Sequence, residues 1–248
     1  MKKGSLANPI LLVGMLVVTV VTYWIPDAKA FREPSLARMI CWHLPCAFIT
    51  TGLLFLGAWF GFRYLNTRQA DIDIRGAATL ELGALFGALT MATGILFSKV
   101  QWGAWWQNDP RQTSFLMVLL IFAGGLALRA GLSDEKRRAA ASAGYALFAL
   151  LPNIFLIFVF PRLSQIQQKS FHPSQTIQSG GFDRMYWIGI LSVMAMLIWV
   201  AVILYQARVR AALLELDLDN QDGPNQTPLD DSATDRVVRP VPLSQERR

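Results

Sequence analysis

Six long stretches of this chain carry no ionised side chain: residues 4–26, 39–62, 82–98, 112–128, 139–160 and 185–206. Most reach the roughly 20 residues that a helix rising about 1.5 Å per residue needs to cross a bilayer. In the hydrocarbon every backbone N–H and C=O must be satisfied within its own segment, so spans of this length fold as helices. The 248 residues are 53% hydrophobic, with a mean hydropathy of +0.36, too apolar for an ordinary soluble domain of this length. The expected fold is all-α: a polytopic membrane protein with six transmembrane helices over residues 1–210.

Lys2 and Lys3 give the first stretch the look of a signal peptide, yet no convincing small-residue cleavage site follows, and Tyr23-Trp24 resembles an interfacial anchor. It is kept as a span. A net charge of +6 would suggest nucleic acid for a soluble protein, but here the bases sit mainly at span ends, where lipid-side orientation explains them and no nucleic-acid partner is expected. Their distribution favours both termini in the cytoplasm. That orientation puts loops 27–38, 99–111 and 161–184 outside and loops 63–75 and 129–138 inside. Residues 211–248 turn polar and rich in Asp, Pro and Gln, which predicts a disordered cytoplasmic tail. With no Gly-rich phosphate loop and no Walker-type Lys-Ser/Thr, any ATP chemistry must come from another subunit. Cys41 and Cys46, about 7.5 Å apart along a helix axis, suit small apolar roles better than a mutual disulfide.

Chemistry concentrates in the segment Trp102-Gly103-Ala104-Trp105-Trp106-Gln107-Asn108-Asp109-Pro110-Arg111-Gln112-Thr113 and in the two histidines, His43 and His172, that flank it. An even number of membrane crossings separates each histidine from the tryptophan loop. All three features therefore meet at one membrane face, whichever way the protein is oriented. His43-Leu44-Pro45 opens span two, where a proline is tolerated in a first helical turn. In the last long loop, Pro173 biases His172 toward an extended backbone. Two imidazoles converging above an aromatic shelf suit a planar metal macrocycle, and a non-covalent b-type haem fits best. Trp102, Trp105 and Trp106 offer the shelf, Arg111, Lys99 and Arg184 are candidates for the propionates, and Asp109 suits ordering the loop.

Each residue also has a plainer reading. Three tryptophans at an interface equally describe an aromatic belt, a loop histidine is commonly a surface residue, and Arg111 and Lys99 can snorkel to headgroups. Glu81 reads as solvated or paired with Arg75. Asn153 beside Pro152, and the Gly124-Gly125 pair, read as helix-packing features.

The loop resembles the tryptophan-rich WWD signature of the haem-handling proteins of cytochrome c biogenesis, most closely those of the haem exporter protein C (CcmC) type. The likeness rests on Trp102-Gly103-x-Trp105-Trp106-x-x-Asp109-x-Arg111-x-Thr113, the His43-x-Pro45 element, the span count and a lone histidine before the last span. It implies that His43 and His172 are axial ligands of a haem at the periplasmic face of a bacterial-type inner membrane. The same resemblance implies partnership with an ABC transporter ATPase and permease, a small membrane subunit and a periplasmic haem chaperone that receives the haem. It further implies delivery rather than catalysis, so no enzyme. Asn108 stands where the family usually has another tryptophan, and Pro110 where a small residue is common. Two other functions remain open: the permease of an ABC-type haem exporter, and a b-type cytochrome of a quinone oxidoreductase, which would usually need four histidines within its spans.

Overall fold

The computed structural model describes residues 7–173 and 182–221. Lys2, Lys3, residues 174–181 of the loop after His172, and the tail beyond Gln221 lie outside the described residues. Six helices make the frame: α1 (Ala7–Tyr23), α2 (Ile40–Thr67), α3 (Ala70–Trp102), α4 (Pro110–Ala130), α5 (Glu135–Ile154) and α6 (Arg184–Gln221). A 3-10 helix, Pro34–Met39, runs straight into α2, and α5 continues through a π-helical segment, Phe155–Val159, and a 3-10 turn, Phe160–Arg162. Five helical stretches are long and apolar enough to cross a membrane, and α1 is apolar but shorter at 17 residues. Among the described residues there is no strand, so the all-α membrane architecture read from the uncharged stretches is borne out.

The helices overrun the uncharged stretches. α3 begins at Ala70 rather than near residue 82, and its 33 residues extend about 50 Å, well beyond a hydrocarbon core of about 30 Å. Asp71 and Asp73 in its first turn and Lys99 in its last suit the helix dipole, so charge placement lengthens the helix past the lipid. The expected inside loop 63–75 shrinks to Arg68-Gln69, with Arg68 in the left-handed region (φ 58°) and its amide donating to the Tyr64 carbonyl. Likewise α6 runs on to Gln221, past the expected boundary at residue 210. Alanine and leucine, both strong helix formers, dominate those extra turns.

In lipid, helices associate through close packing and polar ties, since hydrocarbon competes with any apolar side chain. Glycines supply the close approaches. A Cβ at Gly61 would lie 2.8 Å from the Ala143 carbonyl of α5, and one at Gly83 would lie 2.4 Å from the Phe122 ring of α4. Tyr145 of α5 lies against Gly124 and Gly125 of α4 and donates to the Ile121 carbonyl at 2.7 Å, which gives that glycine pair the packing role expected of it.

Two ion pairs tie the end opposite His43. Arg129 of α4 binds Asp73 of α3 with both guanidinium nitrogens, at 2.7 and 2.9 Å. Glu81 takes Arg208 of α6, at 2.6 and 2.9 Å, rather than the expected Arg75, which lies 3.7 Å from Asp71 on its own helix. Both Cys41 and Cys46 are buried free thiols. Pro152, inside α5, has no N–H to donate to the turn before it. Asn153 is fully buried and its Nδ2 donates to the Ala149 carbonyl at 2.8 Å. Local rewinding near such a proline is a recognised response, and the π segment starts three residues after it, at Phe155.

Candidate functional site

His43 lies in the first turn of α2. Pro45, however, is the sixth residue and falls inside the helix, one turn deeper than the first-turn position expected of it, because the 3-10 segment Pro34–Met39 and α2 start the helix earlier. The His43 ring rests on α3. Nδ1 is 3.0 Å from the Thr93 hydroxyl oxygen, and a Cβ placed on Gly94 would approach Cε1 to 3.2 Å. Thr93 and Gly94 thus form a helical seat that a larger residue at position 94 would fill.

His172 is held quite differently, through Asp109. Pro110 starts α4 with its missing N–H at an otherwise unpaired position, and Asp109 caps that helix by accepting the Arg111 amide at 2.7 Å. The same carboxylate, only 6% exposed, accepts the Ser170 hydroxyl at 2.9 and 3.0 Å and the Phe171 amide. Ser170 Oγ in turn accepts the His172 amide at 3.2 Å. Asp109 therefore orders the loop, as expected of it, and also latches the segment that carries the second histidine. Asn108, just before it, adopts φ 52°, a left-handed conformation in which asparagine is several-fold enriched among non-glycine residues.

The two imidazoles face one another with ring centroids 6.5 Å apart and planes tilted by 50°. They border a cavity of about 420 Å³, along with Trp102, Asp109 and Arg111. Trp105 and Trp106 do not border it; they are 56% and 36% exposed on the outer surface of the loop. Instead Phe97 and Phe171 complete the aromatic wall with Trp102, at centroid distances of 5.5 and 6.1 Å from its ring. Lys99 donates to the Gly103 carbonyl at 2.9 Å and sits over Trp105, and Arg184 is exposed at the start of α6. The cations that reach the cavity are Arg111, which donates to the Pro161 carbonyl at 2.9 Å among its contacts, and Arg162. Behind the wall, Gln101 is buried and pairs reciprocally with the Glu33 backbone, at 3.1 and 3.0 Å, stitching the first loop to the end of α3.

By surface area His172 is exposed, because the cavity reaches it, yet protein atoms crowd the rest of the ring. That crowding governs its protonation. Lost hydration comes first, then repulsion from His43 and Arg111, and Asp109 opposes only partly, so its pKa is pushed down to about 3. The ring is neutral near pH 7 and keeps a lone pair for a metal without displacing a proton.

These features fit a haem. Two imidazoles that share one metal ion at about 2.0 Å each, with about 1.1 Å from nitrogen to ring centre, would show centroids roughly 6.2 Å apart, close to the observed 6.5 Å. The volume falls within the usual range of small-molecule sites, about 300 to 1,000 Å³. An aromatic wall and two guanidinium groups match the porphyrin face and the propionates. Phe97, Phe171, Thr93, Ser170 and Arg162 had no distinguishing signal in the sequence: each is an ordinary residue whose role comes from its neighbours in space.

Fold and cavity together define a polytopic helical membrane protein with a cavity at one end, bordered by two imidazoles. A family model described as "Heme exporter protein C" matches residues 3–222. This chain belongs to that family, as the tryptophan-loop resemblance implied. Among its relatives, "Heme exporter protein C" of Escherichia coli (strain K12) is 29% identical over 127 residues, 51% of this chain and 51% of the relative. The protein of the same name from Bradyrhizobium diazoefficiens is 25% identical over 189 residues, 74% of this chain and 69% of the relative. That of Paracoccus denitrificans is 26% identical over 98 residues, 40% of this chain and 41% of the relative. The chain spans about half the length of the curated relatives it matches first.

Proposed function

We propose that this protein is a haem-delivery subunit of cytochrome c maturation, holding haem as cargo between His43 and His172 and passing it to a periplasmic haem chaperone. The observation that carries the reading is the pair of facing imidazoles, 6.5 Å apart, across a cavity of about 420 Å³. His43 and His172 are the axial ligands in this proposal, Trp102 packs on the porphyrin, and Arg111 and Arg162 meet the propionates. Asp109 acts on the cargo through the His172 loop. Trp105 and Trp106, exposed on the same loop, belong to the surface on which the chaperone docks. The excess of basic residues near the other ends of the spans supports placing the cavity at the outer face of a bacterial inner membrane. An ABC transporter ATPase and permease and a small membrane subunit complete the proposed assembly, since the sequence contains no phosphate-binding loop. Residues 1–210 form the membrane domain in this reading, and the polar region after it faces the cytoplasm.

Haem-reconstituted protein in detergent, titrated by absorbance alongside His43→Ala and His172→Ala, tests the proposal. Wild-type protein should give a low-spin spectrum and each single variant a high-spin one. A spectrum unaltered in both variants overturns bis-histidine ligation.

A further inference from the structure

We infer that Thr93 is a positioning residue that fixes the tautomer of His43, keeping the proton on Nδ1 and presenting the Nε2 lone pair to the iron. The inference rests on the proposed haem reading for its consequence, though not for its geometry. A threonine hydroxyl has one proton to donate and lone pairs to accept with. Thr93 Oγ1 lies 2.8 Å from the Leu89 carbonyl and 3.0 Å from the Thr90 carbonyl. Both are acceptors only, so a hydroxyl proton given to either leaves Thr93 a lone pair for the ring. The Thr90 carbonyl, itself a hydrogen-bond partner of His43, likewise calls for a hydrogen on the ring nitrogen. What Thr93 turns toward His43 Nδ1, 3.0 Å away, is therefore a lone pair, and the hydrogen bond forms only if Nδ1 carries the hydrogen. A neutral imidazole has a single N–H, which leaves Nε2 bare.

Gly94 closes the alternative. Because a Cβ there would approach the ring to 3.2 Å at Cε1 and 3.7 Å at Nδ1, the imidazole edge lies directly on the helix. Turning the ring over would put a carbon where Nδ1 now meets the hydroxyl, and the bond would be lost. Metal-bound histidines are commonly oriented through the other ring nitrogen in this way, and losing such a partner costs roughly 10- to 100-fold in metal affinity. His172 gains no comparable support from Ser170, which binds its backbone amide.

The chain has two histidines, so the His172→Ala variant leaves a single imidazole and makes its nitrogen resonances unambiguous. Full-length, untagged, haem-free protein labelled with 15N-histidine should show His43 as the Nδ1–H tautomer in that background. Adding Thr93→Ser should preserve it, and adding Thr93→Val, which keeps the shape and removes the acceptor, should shift it toward Nε2–H. Haem titration of the Thr93 variants with His172 intact should show affinity lowered about 10- to 100-fold in Thr93→Val and near wild type in Thr93→Ser. A wild-type Nε2–H tautomer, or one unmoved by Thr93→Val, overturns the inference. Haem binding indifferent to His43→Ala overturns the haem reading instead, and the nitrogen spectra separate the two failures.

Discussion

Replacing Asp109 by alanine should weaken haem binding through a residue that Asp109 reaches by way of Ser170 and Phe171. The charge of the carboxylate acts on the Arg111 guanidinium and the His172 ring. The carboxylate also accepts the Arg111 amide, the Ser170 hydroxyl and the Phe171 amide. The first is a helix cap, worth about 1 kcal/mol, and its loss destabilises the start of α4 whether or not haem is present. The other two position the His172 loop, and hydrogen bonds to a charged group contribute about 1.5 to 3 kcal/mol each. Water recovers part of that at the cavity mouth, so a net loss of about 3 kcal/mol is a fair figure, or roughly 100-fold in affinity at about 1.4 kcal/mol per decade. Asp109→Asn keeps a good cap and one acceptor oxygen, and should lose only about 10-fold. The assay is haem titration by absorbance in detergent, run as a double-mutant cycle with His172→Ala. If Asp109 acts through His172, its substitution has little left to remove once His172 is gone. A full 100-fold loss from Asp109→Ala in the His172→Ala background would refute the latch.

Trp102→Ala should weaken haem binding, whereas Trp105→Ala and Trp106→Ala should leave affinity and spectrum unchanged, because only Trp102 borders the cavity; equal losses in the same titration for all three would restore the three-indole shelf. Arg129→Ala strands Asp73, whose side chain is 14% exposed, and should cost about 3 kcal/mol of stability, against under about 1 kcal/mol for Arg208→Ala at the more exposed Glu81 pair; thermal unfolding of the two variants in one detergent compares them. In haem-free protein His172 should stay neutral down to about pH 5, well below the ordinary histidine value of about 6.5. Since its folded pKa lies near 3, the unfolded chain takes up a proton that the folded chain refuses as pH falls through that window, and stability is lost on acidification. Histidine NMR reads the titration directly, and a midpoint near 6.5 would mean that the ring is well hydrated.

Much of this architecture was legible because lipid leaves so few options. Uninterrupted apolar stretches of about 20 residues can only be helices, and an even number of crossings between His43, the tryptophan loop and His172 puts them at one end. Helix ends were less legible. Nothing in 63–75 or 211–221 marks where the helix stops, since charged residues such as Asp71 and Asp73 continue a helix as readily as they end one. Glu81 was read beside Arg75 because the two are near in sequence, but helix packing brings Arg208 from α6 within 2.6 Å.

Within the candidate site, parity located the histidines and could not say what holds them. An indole-rich loop suggests three shelf residues, yet α3 ends at Trp102 and turns at Gly103 (φ 87°), which sends Trp105 and Trp106 out to the surface. Asn108 then supplies the left-handed step that delivers Asp109 to the start of α4. With an indole missing at position 108, this loop gives up aromatic area beside the carboxylate and gains a residue suited to φ 52°. That exchange matters because Asp109 is the anchor of the His172 segment. His43 sits on a long helix, seated against a second one, and moves only if α2 and α3 move. The backbone around His172 is tied to Asp109 and Ser170 by hydrogen bonds that lie in a loop and not in the packing of two spans. Substitutions at Asp109 should therefore be felt at His172 before they are felt at His43, which a histidine-by-histidine comparison of nitrogen spectra would show.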